Sequence, residues 1–225
     1  MAPCAARVYR VGMGQVRLLA ILAQPDDESL GFGGTLAKYA AEGVEVSLIT
    51  ATRGEAGRFH GHRPGEPEHP GASALGAIRA QELLDAGRAL GIREVRLLDY
   101  RDAELDRANP YEATATLAHH VRDLRPDVVV TFGPDGAYGH PDHVKVHRVA
   151  VYAAELAGTR RVLEATMNRD LIVQLRQAAR QMGEAGAEAE ADFDPNAPAD
   201  DGNPFGSTAE EITLAVDVQI GRAHV

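Results

Sequence analysis

The sequence predicts an α/β fold: a Rossmann-like, mostly parallel sheet with helices on both faces. Three observations carry that expectation. The apolar run Leu18–Leu22 leads into a turn, a helical pattern and a second strand-like run, Val44–Thr50, giving a β-α-β opening of about thirty residues. The run Asp127–Phe132 is continuous and β-branched, the pattern of a strand buried on both faces. Clusters of acids and histidines follow the predicted strands, where an open α/β sheet places its ligand crevice.

The elements follow in order. After Leu18–Leu22 comes Ala23-Gln24-Pro25-Asp26-Asp27-Glu28, and then a helix through Tyr39 that Gly43 closes, glycine being the common residue past a helix end. Val44–Thr50 is the second strand. Thr52-Arg53-Gly54-Glu55 opens a loop to Pro70 rich in Gly, Pro and His; a loop of this length in a compact domain is functional or mobile. Its histidines, His60, His62 and His69, read as solvated loop residues, because no ligand spacing recommends them as metal supports. Ala74 to Leu90 has helical spacing and ends at Gly91. Val95–Leu98 is a short third strand leading to Asp99-Tyr100-Arg101-Asp102. Pro110 to Leu124 is a helix with proline at its start. The strand Asp127–Phe132 is followed by a glycine-rich turn, Gly133 to Gly139, by His140-Pro141-Asp142-His143, and by a helix to about Leu156. Asn168 to Ala191 is helical in pattern, and Ile212 to Val218 alternates as a last strand.

The 225 residues, 44% hydrophobic and 25% charged, suffice for one sizeable core, and a single domain over 1–225 is expected. Within it, 1–15 reads as an N-terminal extension and 192–206 as a polar, proline-containing loop or lid. The last six residues, Ile220–Val225, continue no element and match the translation of a common sequencing adapter, so a non-native end is expected. A net charge of −10 without a basic patch argues against nucleic acid as a partner. One cysteine, Cys4, excludes an intrachain disulfide framework. The start lacks the apolar segment of a signal peptide, and no run is long enough to cross a bilayer, so a cytoplasmic protein with no membrane partner is expected. Homo-oligomerisation is left open.

Three consecutive acids, Asp26-Asp27-Glu28, are costly to crowd together unless a cation lies between them. One reading is a divalent metal with one carboxylate as ligand and a neighbour free to move protons; the other is a solvated acidic turn favouring a helix start. Likewise, two histidines and an aspartate in His140–His143 exceed what capping needs, although Asp142 suits a cap and His147, one turn on, suits packing. A Zn²⁺ site with Asp and His ligands and an open water position is one arrangement that would gather both clusters. The glycines of Gly31-Phe32-Gly33-Gly34 do not make a dinucleotide fingerprint, because the third glycine would fall at Leu36.

These motifs, Gln24–Glu28, Thr52–Glu55, Arg79-Ala80-Gln81-Glu82-Leu83, Asp99–Asp102 and Tyr138–His143, resemble those of the PIG-L/LmbE-like metal-dependent N-acetylglucosaminyl deacetylases over Leu18 to Leu156. The resemblance implies a hydrolase that removes the N-acetyl group from an amino sugar or glycoside, with Zn²⁺ or another divalent metal as cofactor. It implies Asp27 and His143 as metal ligands, with Gln24 at the position of a third. Asp26 would be the general base, His140 a general acid or oxyanion stabiliser, Asp142 a residue orienting a histidine, and Tyr138 a group near the carbonyl. Arg79 and Asp102 would hold the sugar, although Arg79 also suits an ion pair with Glu82 on its own helix. The chain departs from the family at Gln24, where the motif begins with histidine. An amide oxygen is a poorer zinc ligand than imidazole, which leaves a catalytically impaired carbohydrate- or metabolite-binding module as the alternative.

Overall fold

The computed structural model describes residues 15–182, 194–198, 202 and 204–218. Five strands, β1 (Arg17–Leu22), β2 (Glu45–Thr52), β3 (Glu94–Tyr100), β4 (Val128–Phe132) and β5 (Arg161–Ala165), form one parallel sheet in the order β3-β2-β1-β4-β5. The order explains the composition of each strand. β1, β2 and β4 are central and almost wholly buried, and they carry the longest apolar runs; β3 and β5 are edges and only half-buried.

The helices are α1 (Asp27–Leu30), α2 (Gly33–Ala41), α3 (Ala72–Ala89), α4 (Pro110–Leu124), the single turn α5 (Gly136–Gly139), α6 (Pro141–Ala157) and α7 (Arg169–Met182). Right-handed crossovers fix their sides. The chain steps from β1 to β2 to β3 in one direction, with α2 against β2 and α3 against β3. It then crosses to β4 and β5 in the other direction, so α4 and α6 pack on each other and α6 lies against β1 and β4. The expected doubly covered parallel sheet is therefore present. Leu19, Ile21, Leu22, Leu36, Leu48 and Ile49 are fully buried at its centre.

Several boundaries differ from expectation, each for a physical reason. The first helix is broken between Leu30 and Gly33, because Phe32 turns inward to meet Phe132 edge-on at 5.6 Å. The strand β5 has only Val162, Leu163 and Ala165 as apolar residues and gave no clear signal. Ile212 to Val218, expected as a strand, pairs with no strand among the described residues. Instead Val218 packs over Gly34, and Lys38 donates to the Asp217 carbonyl at 2.7 Å. Residues 183–191 of the expected helix to Ala191 lie outside the described residues, as do 1–14, 219–225 and part of the 192–206 loop. Among the described residues, no helix is long and apolar enough to cross a membrane.

Burial makes a simple test. Ile21→Ala in the fully buried strand is expected to cost about 2–5 kcal/mol in denaturant unfolding. Leu156→Ala, on the exposed side of α6, should stay within about 0.5 kcal/mol of wild type.

Candidate active site

The strand order reverses between β1 and β4, and the loops beyond their carboxyl ends meet there. The β1 loop supplies Gln24, Asp26 and Asp27; the β4 loop supplies Tyr138, His140, Asp142 and His143; the β3 loop adds Asp102. All eight come from the predicted motifs, and Arg79 reaches in from α3.

Gln24 is the hub. Its amide nitrogen donates to Asp102 Oδ1 at 3.0 Å and Asp142 Oδ2 at 3.3 Å. Both partners only accept, so the amide orientation is compelled and Oε1 must face the other way. There it lies 2.8 Å from His143 Nε2. Asp27, at the first position of α1, accepts from the Ala23 and Gln24 amides through Oδ2 at 3.1 and 2.8 Å. That leaves Oδ1 facing His143 Nε2 at 3.5 Å.

His143 is buried, with its ring stacked on Phe132 at 4.0 Å. Its Nδ1 donates to the Gly136 carbonyl at 3.1 Å, so a neutral ring aims the bare Nε2 at two oxygens. Lone pairs facing at this range repel, and a proton or a divalent cation between them relieves it. The spacing suits a cation: two ligands of a tetrahedral zinc with bonds of about 2.1 Å lie about 3.4 Å apart. The donor set of Asp27 Oδ1, His143 Nε2 and Gln24 Oε1 therefore fits a divalent ion, with two strong donors and one weak. Among the described residues, no three of His, Cys, Asp and Glu converge on such a point.

Burial sets the protonation of this pair. Desolvation raises the Asp27 carboxyl to about 7 against the pull of its backbone donors, and lowers the His143 imidazole to about 4. Desolvation likewise raises Asp142, which backbone donors oppose, and the Tyr138 phenol.

Asp26 sits with φ 117° between strand and helix, and its amide donates to Glu28 Oε2 at 3.0 Å. Its carboxylate is half-exposed and pairs with Arg79 Nη2 at 2.5 Å. Burial raises its pKa, with Arg79 opposing. Arg79 also donates to the Pro25 and Gly54 carbonyls at 2.6 and 3.1 Å. It thus braces the acidic turn and makes no pair with Glu82.

Other expectations shift in detail. The Asp142 carboxylate orients no histidine; it accepts from the Ala103 and Asp106 amides as well as from Gln24. It is instead the Asp142 backbone N–H that orients His140, donating to Nδ1 at 3.2 Å and leaving Nε2 as the ring's proton carrier when neutral. Asp102 is engaged by protein donors, Gln24 on Oδ1 and the Ala56 amide on Oδ2. Tyr138, half-exposed, stands edge-on to His143 at 5.2 Å. His147 is a packing residue bonded to the Phe132 carbonyl. His69, expected to be solvated, is buried and staples its loop.

Sequence reasoning gave no role to Glu28, which accepts the Asp26 amide, or to Glu55, whose Oε1 accepts the Asp102 amide at 3.1 Å while Oε2 is buried without a partner. Their only signal was membership of the quoted motifs.

A family model described as GlcNAc-PI de-N-acetylase, PIG-L, matches residues 19–154. The chain belongs to the PIG-L family. A relative from Catenulispora acidiphila, named 1D-myo-inositol 2-acetamido-2-deoxy-alpha-D-glucopyranoside deacetylase 2, is 44% identical over 173 residues, 68% of this chain and 56% of that one. A Rhodococcus opacus deacetylase named for the same inositol glycoside is 39% identical over 175 residues, 71% of this chain and 60% of that one. This PIG-L chain thus spans little more than half the length of these relatives. Among solved structures, N,N'-diacetylchitobiose deacetylase from Pyrococcus horikoshii, complexed with its inhibitor MPG, is similar with a TM-score of 0.55 and 31% identity, covering 62% of this chain and 49% of that chain.

The pair of shifted groups yields a pH test on metal-free protein. Asp27 holds its proton more tightly folded than unfolded, so its contribution to stability is present below about pH 4 and lost as pH rises through about 7. Asp27→Asn removes the buried charge and offers an N–H to His143 Nε2. The variant should be more stable than wild type at pH 8, by about 1–3 kcal/mol, with no gain at pH 4, as read by denaturant unfolding.

Proposed function

We propose that this PIG-L chain is a metal-dependent hydrolase that removes the N-acetyl group from an N-acetylglucosamine-type amino sugar or glycoside, with zinc as the first candidate metal. The observation that carries the reading is the facing of Asp27 Oδ1 and His143 Nε2 at 3.5 Å, with the Asp26 carboxylate on the neighbouring residue. The names of the relatives support the same substrate class.

Asp27, His143 and, weakly, Gln24 would hold the ion. When bound, a divalent cation acts as a Lewis acid that acidifies water and polarises an amide carbonyl. The chain's residues do the rest. Asp26 accepts the proton of the attacking water; burial raises its pKa, and the ion pair with Arg79, which opposes that rise, holds the carboxylate in place. His140 presents Nε2–H to the developing oxyanion, since Nδ1 is already accepting, and the proton taken up by Asp26 passes to the leaving nitrogen. The Tyr138 phenol, held protonated by its raised pKa, is a second donor from the open side. Asp102 and Asp142 act through Gln24, fixing which of its ends faces the ion.

One observation favours a second reading, a binding module without turnover: Gln24 Oε1 already makes a 2.8 Å contact with His143. Turnover separates the two. Supplied with divalent metal, the wild type should release acetate from N-acetylglucosaminides, and Asp26→Ala should lower kcat at least about 100-fold. Gln24→His should bind zinc about 10-fold more tightly in a chelator competition. No turnover with zinc, cobalt, nickel, manganese or magnesium would favour the binding module.

A further inference from the structure

Glu55 has a place in this site that the reaction as described leaves unexplained. It follows β2, and its side chain reaches across to the turn after β3. We propose that Glu55 is a positioning residue for the cation site: it holds the Asp102 turn, Asp102 aims the Gln24 amide, and the affinity for a divalent ion depends on that aim. The proposal rests on the reading of Asp27, His143 and Gln24 as the metal-holding set.

The contact is a closed clasp. Glu55 Oε1 accepts the Asp102 N–H at 3.1 Å, and Asp102 Oδ2 accepts the N–H of Ala56, the next residue along, at 3.0 Å. Asp102 is thereby held by its backbone and by one carboxylate oxygen, so the direction of the other oxygen is fixed. That oxygen, Oδ1, receives the Gln24 amide at 3.0 Å. Thr52 Oγ1 stands 3.4 Å from it, but its single proton has the Ala23 carbonyl nearer, at 3.0 Å. Gln24 is therefore the firm donor to Oδ1. The last link is the 2.8 Å contact from Gln24 Oε1 to His143 Nε2.

The turn needs holding. Ala103 has φ of 61°, a left-handed conformation that is costly for a residue with a Cβ. Two carboxylates grip successive N–H groups there: Glu55 takes that of Asp102, and Asp142 takes that of Ala103 at 2.8 Å. Hydrogen bonds to ionised acceptors are the stronger kind, and strained backbone persists only where its surroundings hold it. Without Glu55 the turn is free to relax, and Asp102 moves with it. Glu55 itself has little freedom, because Gly76 brings α3 so close that a Cβ on it would lie 3.3 Å from the Glu55 Cβ. A direct role is closed to this carboxylate. Oε1 is engaged, and Oε2 is shut off from solvent with no hydrogen-bond partner among the described residues, so the residue acts through Asp102.

The test uses the full chain and zinc in a chelator competition, and it separates reach from charge. Glu55→Asp keeps the charge but withdraws the oxygens by one methylene; it should weaken zinc binding about tenfold, as should Glu55→Ala. Glu55→Gln keeps the reach and an accepting oxygen, and should stay within about threefold of wild type. An effect that runs through Gln24 vanishes when Gln24 is gone: in a Gln24→Ala background, Glu55→Asp should change the affinity by less than about twofold. Wild-type affinity in Glu55→Asp, an equal loss in Glu55→Gln, or additive losses in the double variant overturn the proposal. Zinc binding without turnover would count against the deacetylase reading alone. Should the wild type take up no divalent metal, the metal reading fails by itself, and the Gln24 side-chain NH₂ becomes the probe. Its exchange with water, followed by NMR, should be about tenfold faster in Glu55→Asp than in wild type and unchanged in Glu55→Gln. Equal rates in all three overturn the positioning role.

Discussion

Two carboxylates share one amide group at the centre of this molecule, and much of the site depends on that sharing. Asp102 follows β3 and Asp142 opens α6, so without a donor between them their charges would repel across the crevice. The NH₂ of Gln24 supplies the donor. Three strand ends are thereby joined through one side chain, and the amide's other end is forced towards His143. A residue that is a weak ligand by type thus acquires a fixed orientation from its neighbours. Its cost as a ligand and its value as a tie come from the same amide.

The sheet determines where this meeting takes place. Reversal of strand order at β1 and β4 sends successive crossovers to opposite faces and leaves a gap between the loops at the carboxyl ends. Burial below that gap explains the electrostatics above it. Asp27 and His143 stand directly over the central strands, where water is scarce, so each favours its neutral form. Asp26, one residue outward, keeps its contact with solvent and with Arg79. Adjacent carboxylates on a single turn therefore take up different chemistry because they lie at different depths.

Much of this was legible in the sequence. The central strands announce themselves by continuous apolar runs, and the clusters after them fell where a parallel sheet collects ligands. The failures share a cause. A strand is defined by its partner, and alternation over Ile212–Val218 carried no information about whether a partner was within reach. β5 pairs with β4 over five residues with little apolar signal of its own. At the site, residue types were readable and hydrogen-bond directions were not. That Asp142 holds an amide and not an imidazole, that Arg79 braces the base, and that His69 staples a loop are all outcomes of tertiary placement.

The backbone of Asp26 narrows what evolution can do with this position. At a φ of 117°, glycine enters the conformation most readily and side chains branched at Cβ least. The replacements the turn tolerates best are therefore ones that keep the fold and abolish the base. Descendants that lose the carboxylate can persist as intact, silent scaffolds, ready for recruitment to recognition without chemistry.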